Sequence, residues 1–351
     1  MENKTDKQSK IESFDASGVG VANNQFFGLP FNYEESELVL FTVPWEATVS
    51  YRAGAAKGAE AMLNASTQID LYDHDFPGGW KQGIFTSKTA SALKKKNTEI
   101  RKLAAAHIHA LEKGKQGNAE AIALVNNESE KLKKAVFAQS KKIIADNKLP
   151  GLVGGDHSTP LGLMEALGEK HGGFGILQID AHADLRDAYE GFTYSHASIM
   201  FNAIKNENVK KLVQVGVRDI SDDEMHIIDN SNRRIVTYFN HEIKNALYNG
   251  IYWSAICKQI IEELPKLVYI SFDIDGLDER YCPNTGTPVP GGLEYEQAVY
   301  LLNEIITSGR KIIGFDLVEV APGKDEWDAI VGARLLYKLC NLTLKSHAQN
   351  A

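Results

Sequence analysis

The sequence of 351 residues is poor in everything that would commit it to export, a membrane or nucleic acid. It has three cysteines, Cys257, Cys282 and Cys340, set far apart. They are too few for a disulfide framework or a multi-cysteine zinc site, so a reducing cytoplasm is the expected compartment. No run of about 18 apolar residues is present to span a bilayer, and the opening MENKTDKQSKIESFDASG lacks the apolar core of a signal peptide. Basic residues are outnumbered, 38 Lys and Arg against 46 Asp and Glu, for a net charge of −8. Nothing in that balance attracts nucleic acid or an anionic membrane, whereas a small cationic substrate suits it. Internal repeats and long Pro- or Ser-rich linkers are also missing, so one domain is expected although the length would allow two.

What is present is a globular composition, 43% hydrophobic and 24% charged, arranged in a strand and helix alternation. Short runs rich in Val, Ile and Leu predict strands at 37–43, 149–155, 174–180, 211–217, 234–238, 266–273 and 311–318. Three- and four-residue apolar steps predict helices near 57–66, 119–147, 160–170, 197–205, 221–229, 251–264, 294–308 and 326–342. That order is the mark of an α/β fold, a doubly wound, mainly parallel sheet with helices on both faces. Residues 1–36 are expected to form a polar leader or arm and 37–345 a single domain. The stretch 87–121 breaks the rhythm and reads as a helical insertion, whose Lys94, Lys95, Lys96, Arg101 and Lys102 suit a solvated helix face.

Ligands of open parallel sheets gather beyond the carboxyl ends of the strands. Three predicted strands end in Gly154-Gly155-Asp156-His157-Ser158, Asp180-Ala181-His182-Ala183-Asp184 and Asp273-Ile274-Asp275-Gly276-Leu277-Asp278. Alternate residues of an extended chain share a side, which groups Asp180 with His182 and Asp184, and Asp273 with Asp275. Taken singly, these are also the residues of turns and helix caps. Together, so many carboxylates at the edge of a core repel one another and lose hydration unless cations neutralise them. Four aspartates balance two divalent ions, with His157 and His182 as neutral ligands. Oxygen and imidazole ligation without thiolate favours Mn2+ over Fe2+, Co2+, Ni2+ or Zn2+. Rival motifs are incomplete: His241-Glu242 lacks a second imidazole at 245, no P-loop is completed around Gly114, and no Gly-x-Ser-x-Gly elbow occurs.

These residues resemble the ureohydrolase family of arginases and agmatinases over roughly 40–342. The likeness rests on VSYRAGAAKGAEAM (49–62), GGDHS (154–158), DAHADL (180–185), YSHAS (194–198), VGVRD (215–219), SFDIDGLD (271–278), TGTPVPGGL (285–293) and EVAP (319–322). The resemblance implies a three-layer αβα sandwich, a binuclear Mn2+ centre, hydrolysis of a guanidino group to urea and an amine, and a homo-oligomer, trimer or hexamer. It places one ion on His157, Asp180, Asp184 and Asp273 and the other on Asp180, His182, Asp273 and Asp275, with Asp180 and Asp273 bridging. Glu319 matches the carboxylate that pairs with the guanidinium, and His196 the proton shuttle, a task that asks for a pKa near neutrality and reach to solvent.

Two departures stand out. Glu279 replaces the Pro that usually follows Asp278, which concerns local loop shape. The arginase pattern Arg-Asp-x-Asp reads Arg218-Asp219-Ile220-Ser221 here. Without that second acid, and with YSHAS and PVPGGL closer to agmatinases, an agmatine-like guanidine is expected before arginine, guanidinobutyrate, formiminoglutamate or free guanidine. A one-metal amide deacetylase of related fold and a silent metal-binding relative are the rivals. Against the first stands His157, which completes a second metal site, and against the second the retention of both His196 and Glu319.

Overall fold

Runs of Val, Ile and Leu that must be covered on both faces become parallel strands in the computed structural model, which describes residues 2–88 and 91–348. Met1 of the leader and Thr89 and Ala90 of the 87–121 stretch lie outside the described residues. The strands are β1 (Leu38–Val43), β2 (Ile84–Ser87), β3 (Leu149–Gly154), β4 (Phe174–Ile179), β5 (Val209–Val215), β6 (Ile235–Tyr238), β7 (Leu267–Asp273) and β8 (Lys311–Val318). They form one sheet in the order β2-β1-β3-β8-β7-β4-β5-β6, with every pairing parallel.

The helices are α1 (Glu2–Ser13), α2 (Gly58–Ala65), α3 (Ser91–Glu112), α4 (Ala119–Ala145), α5 (Leu161–His171), α6 (Ile199–Ala203), α7 (Asp222–Asp229), α8 (Asn240–Tyr248), α9 (Trp253–Glu262), α10 (Tyr295–Thr307) and α11 (Trp327–Ala348). Two cores result, one on each face of the sheet. Met62 of α2, Ile260 of α9, Leu302 of α10 and Leu339 of α11 fill the first, and Ile100 of α3, Val125 of α4, Leu163 of α5 and Met200 of α6 fill the second. This is the three-layer, doubly wound arrangement expected from the sequence.

Beyond the leader, two elements escaped the pattern. Strand β2 is four residues long at the sheet edge, and its alternating burial leaves too few apolar positions to register as a run. Helix α8 buries only Ile243. In the leader, α1 lies against the domain: Lys10 pairs with the buried Glu35 at 2.9 Å, and the Phe14 ring meets Trp80 at 5.1 Å. The 87–121 stretch forms α3 and the turn into α4.

Candidate metal centre and its cleft

The order of the four central strands, β3-β8-β7-β4, sets the site. Adjacent parallel strands lie about 4.8 Å apart, so residues just beyond their carboxyl ends become neighbours although they are far apart in sequence. His157 follows β3, Glu319 follows β8, Asp273 ends β7 and Asp180 follows β4. The loop after β3 turns tightly because Gly155 lies against the Trp45 carbonyl; a Cβ there would stand 1.9 Å from that oxygen. Asp184 and Glu319 hold left-handed backbone at φ 55° and 59°, a strained conformation for such residues that recurs at functional sites.

His157 Nδ1 lies 2.9 Å from Asp180 Oδ2, 3.0 Å from Asp184 Oδ2 and 3.3 Å from Asp273 Oδ2. None of these contacts has hydrogen-bond geometry, and Nδ1 is a buried nitrogen without a partner. The reason lies on the other side of the ring. Ser271 Oγ donates to Asp316 Oδ2 at 2.9 Å, so its lone pair is left to accept from His157 Nε2 at 2.9 Å. With one proton on Nε2, the imidazole aims Nδ1 at three carboxylate oxygens. Burial lowers the His157 pKa, but Asp180, Asp184 and Asp273 raise it well above its ordinary value, so the carboxylates draw a proton onto Nδ1 that a metal cation would displace.

Beside it, His182 Nδ1 stands 3.2 Å from Asp275 Oδ2 and 3.5 Å from Asp180 Oδ1. Two groups of possible ligands emerge, His157 with Asp180 and Asp273, and Asp180 with His182 and Asp275, each with ligand atoms within 4.8 Å of one another. Asp180 is common to both, and Asp184 joins through its contact with His157. Asp180, Asp273 and Asp275 also accept amide or side-chain N–H groups that aim them: Gln178 Nε2 and the His182 amide on Asp180, the Asp275 amide on Asp273, the Ala181 amide on Asp275. Burial, then the charge of Asp180, pushes the Asp184 carboxyl up to about 7. Burial, then Asp275 and Asp180, raises Asp273 well above the carboxylate range. The donors, their aim and the raised proton affinities fit a pair of divalent cations.

A cleft of about 260 Å³ opens over this cluster, the scale of a small ligand. Glu319 enters its wall with Oε1 accepting from the His157 amide at 2.9 Å and Oε2 buried without a partner. Burial, then Asp156, raises its pKa well above the usual value. His196 also lines the cleft, half-buried, its amide donating to Thr48 Oγ1 at 3.2 Å. Burial pushes its imidazole down to about 3, and His182, His157 and Arg101 add to the fall. Burial thus keeps the ring neutral, below the near-neutral pKa that a proton shuttle asks for.

Sequence reasoning missed the residues behind the ligands, namely Ser271, Asp316 and Gln178. Their signal was a polar residue inside an otherwise apolar buried strand, as Asp316 is in KIIGFDLV. It also missed Glu224. Ser221, at the position of the absent acid, caps α7, and Glu224 reaches the cleft from the first turn of that helix. Its Oε1 accepts from the Leu185 amide at 3.0 Å and its Oε2 from Ser221 Oγ at 2.7 Å.

A family model described as the arginase family matches residues 36–341. The chain belongs to the arginase family. It is 30% identical over 310 residues to the N(1)-aminopropylagmatine ureohydrolase of Thermus thermophilus, covering 88% of this chain and 91% of that one. It is 27% identical to the agmatinase of Halalkalibacterium halodurans, over 84% of this chain and 87% of the relative. The crystal structure of agmatine ureohydrolase from Thermoplasma volcanium superposes with a TM-score of 0.71 at 20% identity, covering 98% of this chain and all of that one. This arginase-family chain therefore shares its relatives' fold over nearly its whole length, and among the described residues no helix is long and apolar enough to cross a membrane.

Proposed function

We propose that this arginase-family protein hydrolyses a small agmatine-like guanidine to urea and an amine at a binuclear centre, Mn2+ before Ni2+, Co2+, Fe2+ or Zn2+. The observation that carries the reading is the His157 Nδ1 set among three buried carboxylate oxygens, in the same cleft as the unpaired oxygen of Glu319. His157, Asp180, Asp184 and Asp273 would hold one ion, and Asp180, His182, Asp273 and Asp275 the other. When bound, such ions supply the Lewis acidity that makes water a nucleophile near neutral pH.

The chain's own groups do the rest. Glu319 is raised in pKa while it is alone, and a guanidinium beside it restores the carboxylate, so the charge pair forms only when substrate is present. Its planar fork holds the guanidinium carbon toward the metal cluster. Oxygen from water bonds to that carbon and the bond from carbon to the substituted nitrogen breaks. His196 would take up one of the water's two protons and return it to the departing nitrogen, and the second passes from the same oxygen to the amine as the carbon–nitrogen bond breaks, so that urea and an ammonium leave.

Asp219 and Glu224 also line the cleft, with one Arg or Lys side chain, Arg186, whose Nε is 3.7 Å from Glu224. Two acids against one base favour a cationic tail, as on agmatine. Arg186 alone would favour a carboxylate tail, which makes 4-guanidinobutyrate the second reading. Urea release from arginine, agmatine, 4-guanidinobutyrate and free guanidine, with protein loaded separately with Mn2+, Ni2+ and Zn2+, tests both. Absence of urea from every substrate with full metal loading would sink the proposal, and a clear preference for a carboxylate-bearing substrate would overturn the tail assignment. Sedimentation measures whether the chain forms the proposed trimer or hexamer.

A further inference from the structure

The segment 186–196 carries Arg186, Tyr189 and His196 into the cleft wall, yet its backbone is costly to hold. Ala188, Glu190 and Gly191 have φ of 68°, 55° and 85°, and left-handed conformations at the two non-glycine residues persist only where surroundings enforce them. The enforcement comes from the insertion and the start of α4. His107 on α3 is buried, and its Nδ1 accepts from the Asn118 amide at 2.9 Å, which leaves Nε2 as the N–H that donates to the Glu190 carbonyl at 2.9 Å. The same ring meets Phe192 edge-on at 5.3 Å. From α4, Asn126 Nδ2 donates to the Gly191 carbonyl at 3.1 Å and Asn126 Oδ1 accepts from the Thr193 amide at 2.9 Å. Ile122 closes the gap, its Cδ1 2.9 Å from where a Cβ on Gly191 would stand.

The geometry points to a role for the 87–121 insertion: α3 and the start of α4 form a brace that fixes segment 186–196 over the cleft, and His107 is the positioning residue that latches it. His107 touches neither metal ligands nor the cleft, so it acts only through the backbone of Glu190 and the ring of Phe192. Both ring nitrogens are engaged, one as acceptor and one as donor, so glutamine, whose amide offers an oxygen and a nitrogen at similar spacing, is the conservative replacement.

The catalytic part of this inference rests on the proposed function, and the structural part does not, so the experiment reads them separately on metal-loaded full-length protein. His107→Leu is expected to speed amide hydrogen exchange across 189–195 by roughly tenfold or more, through loss of a buried hydrogen bond, while strands β3, β4 and β7 exchange as before and metal content is unchanged. The kcat/KM for the best guanidine should fall by roughly tenfold, mainly through KM as Arg186 and Tyr189 lose their place, and His107→Gln should recover both readouts. Asn126→Ala, at a half-buried surface position, gives the same local acceleration if His107→Leu does not fold. Unchanged exchange over 189–195 in the folded variants, or acceleration spread equally over the central strands, would overturn the brace. If wild-type protein releases no urea, the functional reading falls and the exchange result still decides the structural one.

Discussion

Two acidic clusters in this chain are built in opposite ways. Beside α11, the buried Asp73 accepts from Lys338 Nζ at 2.6 Å, Asn341 Nδ2 at 2.9 Å and the Asp75 amide at 2.9 Å, and Asp75 shares the same ammonium at 3.0 Å. Over the central strands, Asp180, Asp184, Asp273 and Asp275 have only His157 and His182 as ion-pair partners among the described residues. Burial works against the charge of Asp73, but Lys338 and Asn341 hold its pKa below the usual value. Burial and like charges push Asp184 and Asp273 the other way. A cluster that brings its own cation is finished when the chain folds. One that does not is a demand for a cation from solution, which is how a structural acid and a metal ligand can be told apart without an ion in view.

The sharpest break is Asp180→Ala. Because Asp180 belongs to both ligand groups, the variant should lose both ions and all urea release, whereas Asp184→Ala should deplete mainly one site. Elemental analysis decides, and full metal occupancy in purified Asp180→Ala would show that the cluster is no demand at all. Chelation extends the test. In metal-free protein the Asp184 carboxyl binds its proton more tightly folded, at about 7, than at its ordinary value of 3.8. The folded state then holds more protons than the unfolded one between those values, so stability should fall as pH rises through that window. Asp73 has the opposite sign: its lowered folded pKa gives stability present above 3.8 that is lost as pH falls through the folded value. Thermal melts of chelated and metal-loaded protein from pH 2 to 8 separate the two, since bound metal should abolish the slope above pH 4, while the slope below it belongs to Asp73.

Within the site, His196→Ala separates holding metal from moving a proton. Turnover should drop by about 10²–10⁴-fold with metal content intact. Near-normal turnover from pH 7 to 9 would show that water or another side chain carries the proton.

How much of this was legible beforehand follows from the same contrast. Asp-x-His-x-Asp after a predicted strand is legible because charge at every second position is incompatible with a buried strand, and the signal is local. The sheet order that brings His157, 116 residues before Asp273, against that carboxylate is not local, and only the likeness to a family supplied the grouping. Asp316, Ser271 and Gln178 were visible as polar residues in apolar strands, but their direction depends on strand register. Glu224 was hidden because its position on α7 matters only once that helix is docked beside Leu185. The brace was out of reach altogether: His107 and Glu190 are 83 residues apart, and their bond involves a backbone carbonyl, which leaves no trace in residue type.

Lys338→Met tests the self-sufficient cluster. It leaves Asp73 buried with two neutral donors, so the protein should lose roughly 1–3 kcal/mol in chemical denaturation, the lower part of that range reflecting a lysine that is 19% exposed. Metal content and urea release should not change. A loss under about 0.5 kcal/mol would mean that Asn341 and the Asp75 amide suffice and the ammonium is dispensable.

Glu190 is the intermediate case, an acid with neither a metal nor a dedicated cation. Its Oε2 is buried without a partner, and burial, then Glu112, pushes the carboxyl up to about 7 against the pull of Arg101 and Arg186. The folded state therefore holds a proton between the ordinary value of 4.5 and about 7 that the unfolded chain has released, and stability declines across that interval as pH rises. Glu190→Gln removes the ionisation while keeping the shape and the backbone carbonyl that His107 holds. The variant should melt about 1–2 °C above the wild type at pH 8 and equally with it at pH 4, the small size following from a side chain only half-buried. A variant that melts lower at pH 8 would show that the Glu190 carboxylate has a cation after all, Arg101 or Arg186, and would move this residue to the self-sufficient side of the comparison.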